Sequence, residues 1–320
     1  MSGERGAALG RRLAEGDLGA APEALNLLES AAADDAVDRA ALLEACSPAS
    51  LGKEPQGHIV GITGPPGAGK STLISALCRE LRGGGESVAV IAVDPSSKRS
   101  GGSLLGDRAR IAFDPADREL LIRSMAAGER LGGLARPTRD AAWALSAAYD
   151  VVIVETVGVG QSETEVAEVA DTVCVVVQPG SGDTLQFIKA GIMEIPDVLV
   201  VTKADLGTIA QRARRDLNAA LRSLGARDTE VVAVSSVPPP TGVGDLVDAI
   251  SAHRGRSDVA AGRVERRRAQ ALAEFAEEHG TRGMEALGGR RAALRELETL
   301  DDGLGVPGMV AELSSRAGLA

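Results

Sequence analysis

Aromatic residues are nearly absent: one Trp, one Tyr and three Phe in a chain of 320 residues. That excludes the stacking platforms of single-strand nucleic-acid binders and leaves a core of Val, Ile, Leu and Ala. Cysteine is as scarce. Cys46, Cys78 and Cys174 are odd in number and far apart, which argues against a disulfide framework and for a reducing compartment. With only His58, His253 and His279 beside them, no Cys/His pair has the spacing of a zinc site. Positive charge is also in deficit, 35 Lys and Arg against 45 Asp and Glu, and the net charge of −10 repels polyanions. No nucleic-acid partner is expected. No stretch reaches the roughly 18 apolar residues of a membrane span, and MSGERGAALGRRLAEGD lacks a secretory apolar core. The expectation is a cytoplasmic chain with no membrane partner.

What the chain does have is three segments of different texture. Residues 1–52 are Ala/Leu-rich with charges at helical spacing and read as an N-terminal helical arm. In residues 53–255 the apolar runs HIVGIT, SVAVIAV, ELLIRSM, YDVVIVET, DTVCVVVQ, PDVLVVTK and TEVVAVSS alternate with helix-like segments. Continuous β-branched strands separated by helices are what a parallel sheet covered on both faces requires. The fold class is therefore α/β, with a mostly parallel doubly wound sheet; the motif that follows the first run makes it a P-loop NTPase. Residues 256–320 carry opposite charges on a helical period and read as a C-terminal helical assembly arm.

The sharpest motif lies between the first run and the helix STLISALCREL. Gly64, Pro65, Pro66, Gly67, Ala68, Gly69, Lys70 and Ser71 match G-x-x-x-x-G-K-[ST], with Thr72 next. Glycines let successive N–H groups turn toward phosphates, the helix N-terminus adds its dipole, and Lys70 adds a compact cation. Ser71 is the expected Mg²⁺ ligand. Nucleotide binding is far better supported than a plain strand-to-helix turn, because the whole motif sits in its proper context.

Base choice is read from Lys203 and Asp205 at the end of PDVLVVTK. A carboxylate there accepts from guanine N1–H and the 2-amino group, whereas adenine offers no such pair of donors. One β-α unit later, Ser235, Ser236 and Val237 end a strand where backbone N–H groups can cap the guanine oxygen. The ligand is GTP or GDP, and no tightly bound organic cofactor is expected.

At the end of YDVVIVET, Glu155-Thr156-Val157-Gly158 stands where a GTPase has D-x-x-G. Glu155 is expected to meet Mg²⁺ through a water and Gly158 N–H to contact the γ-phosphate. Val159, not a glutamine, follows the glycine; the nearest is Gln161, which predicts slow intrinsic hydrolysis completed by a partner or a moving loop. Asp94, at a strand end, and Asp107, in a glycine-rich loop, read equally as a turn former and a helix cap, but they stand where open α/β sheets hold ligands and are candidate oxygen ligands for Mg²⁺.

VDPSSKRSGGSLLGDRARI, LGGLA, ETVGVGQSE, the Gln178–Asp183 turn and IKAGIMEIPDV together resemble the MeaB/ArgK family, the methylmalonyl-CoA mutase-associated GTPases. The resemblance implies that Ser71, Asp94, Asp107 and Glu155 surround Mg²⁺ and that Lys203 and Asp205 read guanine. It implies switch loops around 94–110 and 155–165 and a third switch from Gln178 to Lys189. It further implies a homodimer, and a chaperone that gates adenosylcobalamin loading of an acyl-CoA mutase, with an adenosyltransferase as supplier. Thr202 departs from the usual Asn of the guanine motif, which is expected to weaken a local hydrogen bond. The expected catalytic groups are Lys70, Glu155, Gly158 and Lys189, the last as an element repositioned by the client; an exposed helix lysine is an equal reading of it. The competing classes are a P-loop small-molecule kinase or transport ATPase, a metal-insertion GTPase, and a clamp whose hydrolysis is incidental. Asp205 disfavours the first and the missing Cys/His cluster the second.

Overall fold

A computed structural model describes residues 3–94, 111, 114–126, 134–156, 166–180, 196–226 and 228–319, without the side chain of Asp94. Two compact units emerge from it: residues 1–57, 143–148 and 258–320 form one, and residues 58–142 and 149–257 the other.

In the first unit, helices α1 (Glu4–Ala14), α2 (Ala21–Glu29), α3 (Ala36–Ala45) and the short α4 (Pro48–Leu51) come from the N-terminal segment. The C-terminal segment supplies three more, which follow the second unit's helices in chain order: α9 (Val259–Ala286), α10 (Arg290–Glu298) and α11 (Val306–Arg316). Leu272, Phe275, Leu297, Met309 and Leu313 bury an apolar cluster among those three. A charged face that reads as solvated is in part buried: Arg263 on α9 is only 1% exposed. Its guanidinium donates to Pro55 O at 2.6 Å and Gly57 O at 2.5 Å. One turn on, Arg267 grips Glu54 through both guanidinium nitrogens, at 3.0 and 2.6 Å. Arg263→Ala should lower stability by about 3 kcal/mol, since it leaves two buried carbonyls without their donor. A urea midpoint unchanged from wild type would show these bonds to be dispensable.

The second unit is built on a seven-stranded sheet ordered β3-β2-β4-β1-β5-β6-β7. The strands are β1 (His58–Thr63), β2 (Val88–Asp94), β3 (Leu120–Ala126), β4 (Val151–Glu155), β5 (Thr172–Val177), β6 (Val198–Val201) and β7 (Glu230–Ala233), one for each apolar run in the sequence. Every neighbouring pair is parallel. Helices α5 (Lys70–Gly83), α6 (Arg136–Leu145), α7 (Thr208–Leu224) and α8 (Val243–Arg256) accompany it. Leu73, Ile74 and Leu77 of α5 and Leu246 and Ile250 of α8 pack on Val60, Ile62, Val90, Ile153, Val176 and Val200. Each such side chain contributes roughly 1.5–3 kcal/mol, so α5 is held rigidly along the sheet.

Acidic side chains fix the strand entries. Asp171 Oδ2 accepts the Ile59 N–H at 2.9 Å, and Asp197 Oδ2 accepts the Val173 N–H at 2.8 Å. With the register locked at that end, the opposite, C-terminal strand ends line up beside the glycine-rich loop. All three cysteines are buried and free. Burial pushes the Cys46 and Cys78 thiols up to about 12 and Cys174 higher still, so none is a thiolate at neutral pH. Among the described residues no helix is long and apolar enough to cross a membrane.

Candidate functional site

The site is built where β1, β4 and β6 end. After Thr63 the chain enters the loop at Gly64, whose φ is 141°. A Cβ there would lie 2.2 Å from Val176 O on β5, so only glycine permits this approach. The loop closes on Gly69, in the left-handed region at φ 92°, as the cap of α5 with no side chain to accept the first-turn N–H groups. Those donors and the helix dipole converge on the loop's interior, which is the requirement for a polyphosphate. Lys70 folds back into the same curl: Nζ donates to Gly64 O at 2.7 Å and to Pro65 O at 3.3 Å.

The candidate metal position brings together Ser71 and Glu155, 84 residues apart. Ser71 Oγ donates to Glu155 Oε1 at 3.1 Å, and Glu155 is 7% exposed. Both donors are hard oxygens, as Mg²⁺ prefers, and adjacent ligands of an octahedron with bonds near 2.1 Å lie roughly 3.0 Å apart. The spacing admits Mg²⁺ on Ser71 with Glu155 either at the neighbouring position or reaching the ion through a water. Asp94 ends β2 on the strand that pairs with β4, where its backbone belongs to the same edge of the sheet. Its side chain lies outside the described residues, as do Asp107, Gly158 and Lys189 altogether.

On the base side, Lys203 takes the left-handed conformation (φ 53°), rare for a residue with a Cβ and a local strain of about 1–3 kcal/mol. It is held there by the Ala204 N–H to Val234 O bond, 3.1 Å. The turn it creates presents Asp205 in a short 3₁₀ segment, Ala204–Leu206. Asp205 is exposed, and its Oδ1 accepts the Ser235 hydroxyl at 2.8 Å. Ser235 thus contributes through its side chain, a role that its place at a strand end did not reveal. Its own N–H donates to Thr241 O at 3.0 Å, and Val237 N–H leans on Ser235 Oγ at 3.3 Å. Ser236 and Val237 follow on the same loop, and in this structure the N–H groups of Ser235 and Val237, expected to cap a guanine oxygen, are engaged within the protein.

The Thr202 hydroxyl meets Ala68 O of the glycine-rich loop at 2.7 Å and Val177 O at 3.2 Å, so a single donor is shared between two carbonyls. Thr202 thereby ties its strand end to the glycine-rich loop. The sequence also gave no sign of Thr63 and Thr156, whose hydroxyls meet at 2.9 Å between β1 and β4.

The family model described as Methylmalonyl Co-A mutase-associated GTPase MeaB matches residues 21–286. A Mycobacterium tuberculosis protein named "Probable GTPase" is 42% identical over 247 residues, 75% of this chain and 72% of its own length. A Pyrococcus abyssi relative is 49% identical over 205 residues; the match spans 62% of each chain. The mouse protein named "Methylmalonic aciduria type A homolog, mitochondrial" is 44% identical over 171 residues, 52% of this chain and 41% of its own. A crystal structure described as an LAO/AO transport system kinase superposes with a TM-score of 0.64 at 26% identity, covering 98% of both chains. The glycine-rich loop, the Ser71–Glu155 pair and Asp205 lie at the C-terminal strand ends of a fold shared with that structure, and the chain belongs to the family of methylmalonyl-CoA mutase-associated GTPases.

Proposed function

We propose that this protein binds GTP, hydrolyses it to GDP and phosphate, and uses the cycle to gate adenosylcobalamin loading of an acyl-CoA mutase. The observation that carries the nucleotide assignment is the Asp205 carboxylate, oriented by Ser235 on a strand whose Thr202 is hydrogen-bonded to the phosphate loop. A kinase or transport ATPase has no need of a carboxylate so placed, because adenine offers it no pair of donors. For a metal-insertion role there is little support: among the described residues no three His, Cys, Asp or Glu side chains gather as a metal cluster.

In this reading the loop amides and Lys70 hold the β- and γ-phosphates and oppose the charge that builds in the transition state. Ser71 and Glu155, with Asp94 and Asp107, would hold Mg²⁺, which when bound neutralises phosphate charge. Gly158 would contact the γ-phosphate, and Lys189 would enter when the client docks. The mutase role is supported by the family match and by the name of the mouse relative. The terminal arms, residues 1–52 and 256–320, are proposed to make the homodimer, and an adenosyltransferase to supply cofactor.

Calorimetry with Mg²⁺ tests the base assignment. GDP and a non-hydrolysable GTP analogue should bind at least 10²-fold more tightly than their adenine equivalents. Comparable adenine affinity would move the kinase reading to the front. Hydrolysis measured alone and with an adenosylcobalamin-dependent acyl-CoA mutase should be slow and then stimulated; equal rates would remove the chaperone role.

A further inference from the structure

Glu155 has a neighbour whose chemistry neither nucleotide binding nor packing requires. Thr156, the first residue beyond β4, is 1% exposed, and Thr63, the last residue of β1, is fully buried. Thr156 Oγ1 donates to Thr63 Oγ1 at 2.9 Å, and the Thr156 N–H donates to Ile62 O at 3.1 Å. Ile62 is in register with Glu155 across the β1/β4 pair. Because side chains alternate along a strand, Glu155 shares the face of Ile62, where α5 presents Ser71, while Thr156 turns to the other face. The residue just past the carboxylate is thus fastened to the strand that runs straight into Gly64.

Two valines would fill the same volume without burying hydroxyls, and exchanging both partners for apolar groups of equal shape is close to neutral for stability. Packing alone gives no reason for this pair. What it supplies is direction: it sets where β4 ends relative to the phosphate loop, and so where Glu155 Oε1 stands against Ser71 Oγ, 3.1 Å away.

We propose that Thr156, through Thr63, is a positioning residue for the magnesium carboxylate of this site. The inference rests on the guanine-nucleotide reading above and deepens it. Outer-sphere hydrogen bonds made directly to a metal ligand alter metal affinity by about 10- to 100-fold when removed; the Thr156–Thr63 pair holds the backbone beside Glu155 instead, so the low end of that range, about tenfold, is expected.

The test is the release of the fluorescent nucleotide mant-GDP as a function of Mg²⁺ concentration, for wild type, Thr156→Val, Thr156→Ser and the double variant Thr63→Val/Thr156→Val. The Mg²⁺ concentration that half-maximally slows release should rise about tenfold in Thr156→Val and in the double variant. Thr156→Ser, which keeps the hydroxyl, should stay near wild type. Affinity for mant-GDP in EDTA should be unchanged in all four, and the urea midpoint of the double variant should match wild type. An unchanged Mg²⁺ midpoint in the double variant would overturn the positioning role alone. So would a shift matched by an equal loss of affinity in EDTA, which reports general damage. Failure of the wild type to bind mant-GDP at saturating Mg²⁺ would overturn the nucleotide reading and the inference with it.

Discussion

Asp205→Ala is expected to reduce affinity for GDP and GTP by roughly 10²- to 10⁴-fold while leaving the weak affinity for adenine nucleotides unchanged. The magnitude follows from two hydrogen bonds accepted by one carboxylate, each worth about 1.5–3 kcal/mol when the acceptor is charged. The structure adds a reason for expecting the high end. Asp205 is anchored by Ser235 and carried on a turn whose strain is already met within the fold, so little ordering remains to be done when the base arrives. Being exposed, Asp205 supports no core packing, and the variant should unfold at the wild-type urea concentration. Calorimetry on the pair decides the matter: a loss below threefold would mean that the carboxylate does not read the base.

Lys70→Ala is expected to lower the single-turnover rate of GTP hydrolysis by about 10²- to 10³-fold, the range for losing one preorganised charge partner of a transition state. Lys70 Nζ sits on two loop carbonyls within the curl, 2.7 and 3.3 Å away, so the cation is in place before a phosphate enters. Lys70→Arg should not rescue the rate. A planar guanidinium is larger than an ammonium and cannot occupy the same space between Gly64 O and Pro65 O without displacing the loop. Retention of hydrolysis within threefold of wild type in Lys70→Ala would remove this loop from the chemistry.

The strands were legible because a parallel sheet covered by helices needs unbroken β-branched runs, and each of the seven runs became a strand. Their order was not. Nothing in HIVGIT or YDVVIVET says that β1 lies between β4 and β5; crossover geometry and helix packing decide that. In the same way the glycine-rich loop, Glu155 and Asp205 announced themselves by type and local spacing. Arg263 carried no local signal, because it is one charge among many on its helix, yet its long side chain reaches inward to two buried carbonyls.

The sequence by itself determined which groups the candidate site holds: a glycine-rich loop with its lysine and serine, a carboxylate at the end of β4 and a carboxylate after β6. Only the tertiary structure decided how they are held. Ser71 meets Glu155 across 84 residues, Thr202 meets Ala68 across 134, Thr156 meets Thr63 across 93 and Ser235 meets Asp205 across 30. Local spacing cannot report such pairs, since a hydroxyl's hydrogen bond needs a partner within about 3 Å, and that distance exists only once the strands have taken their places in the sheet.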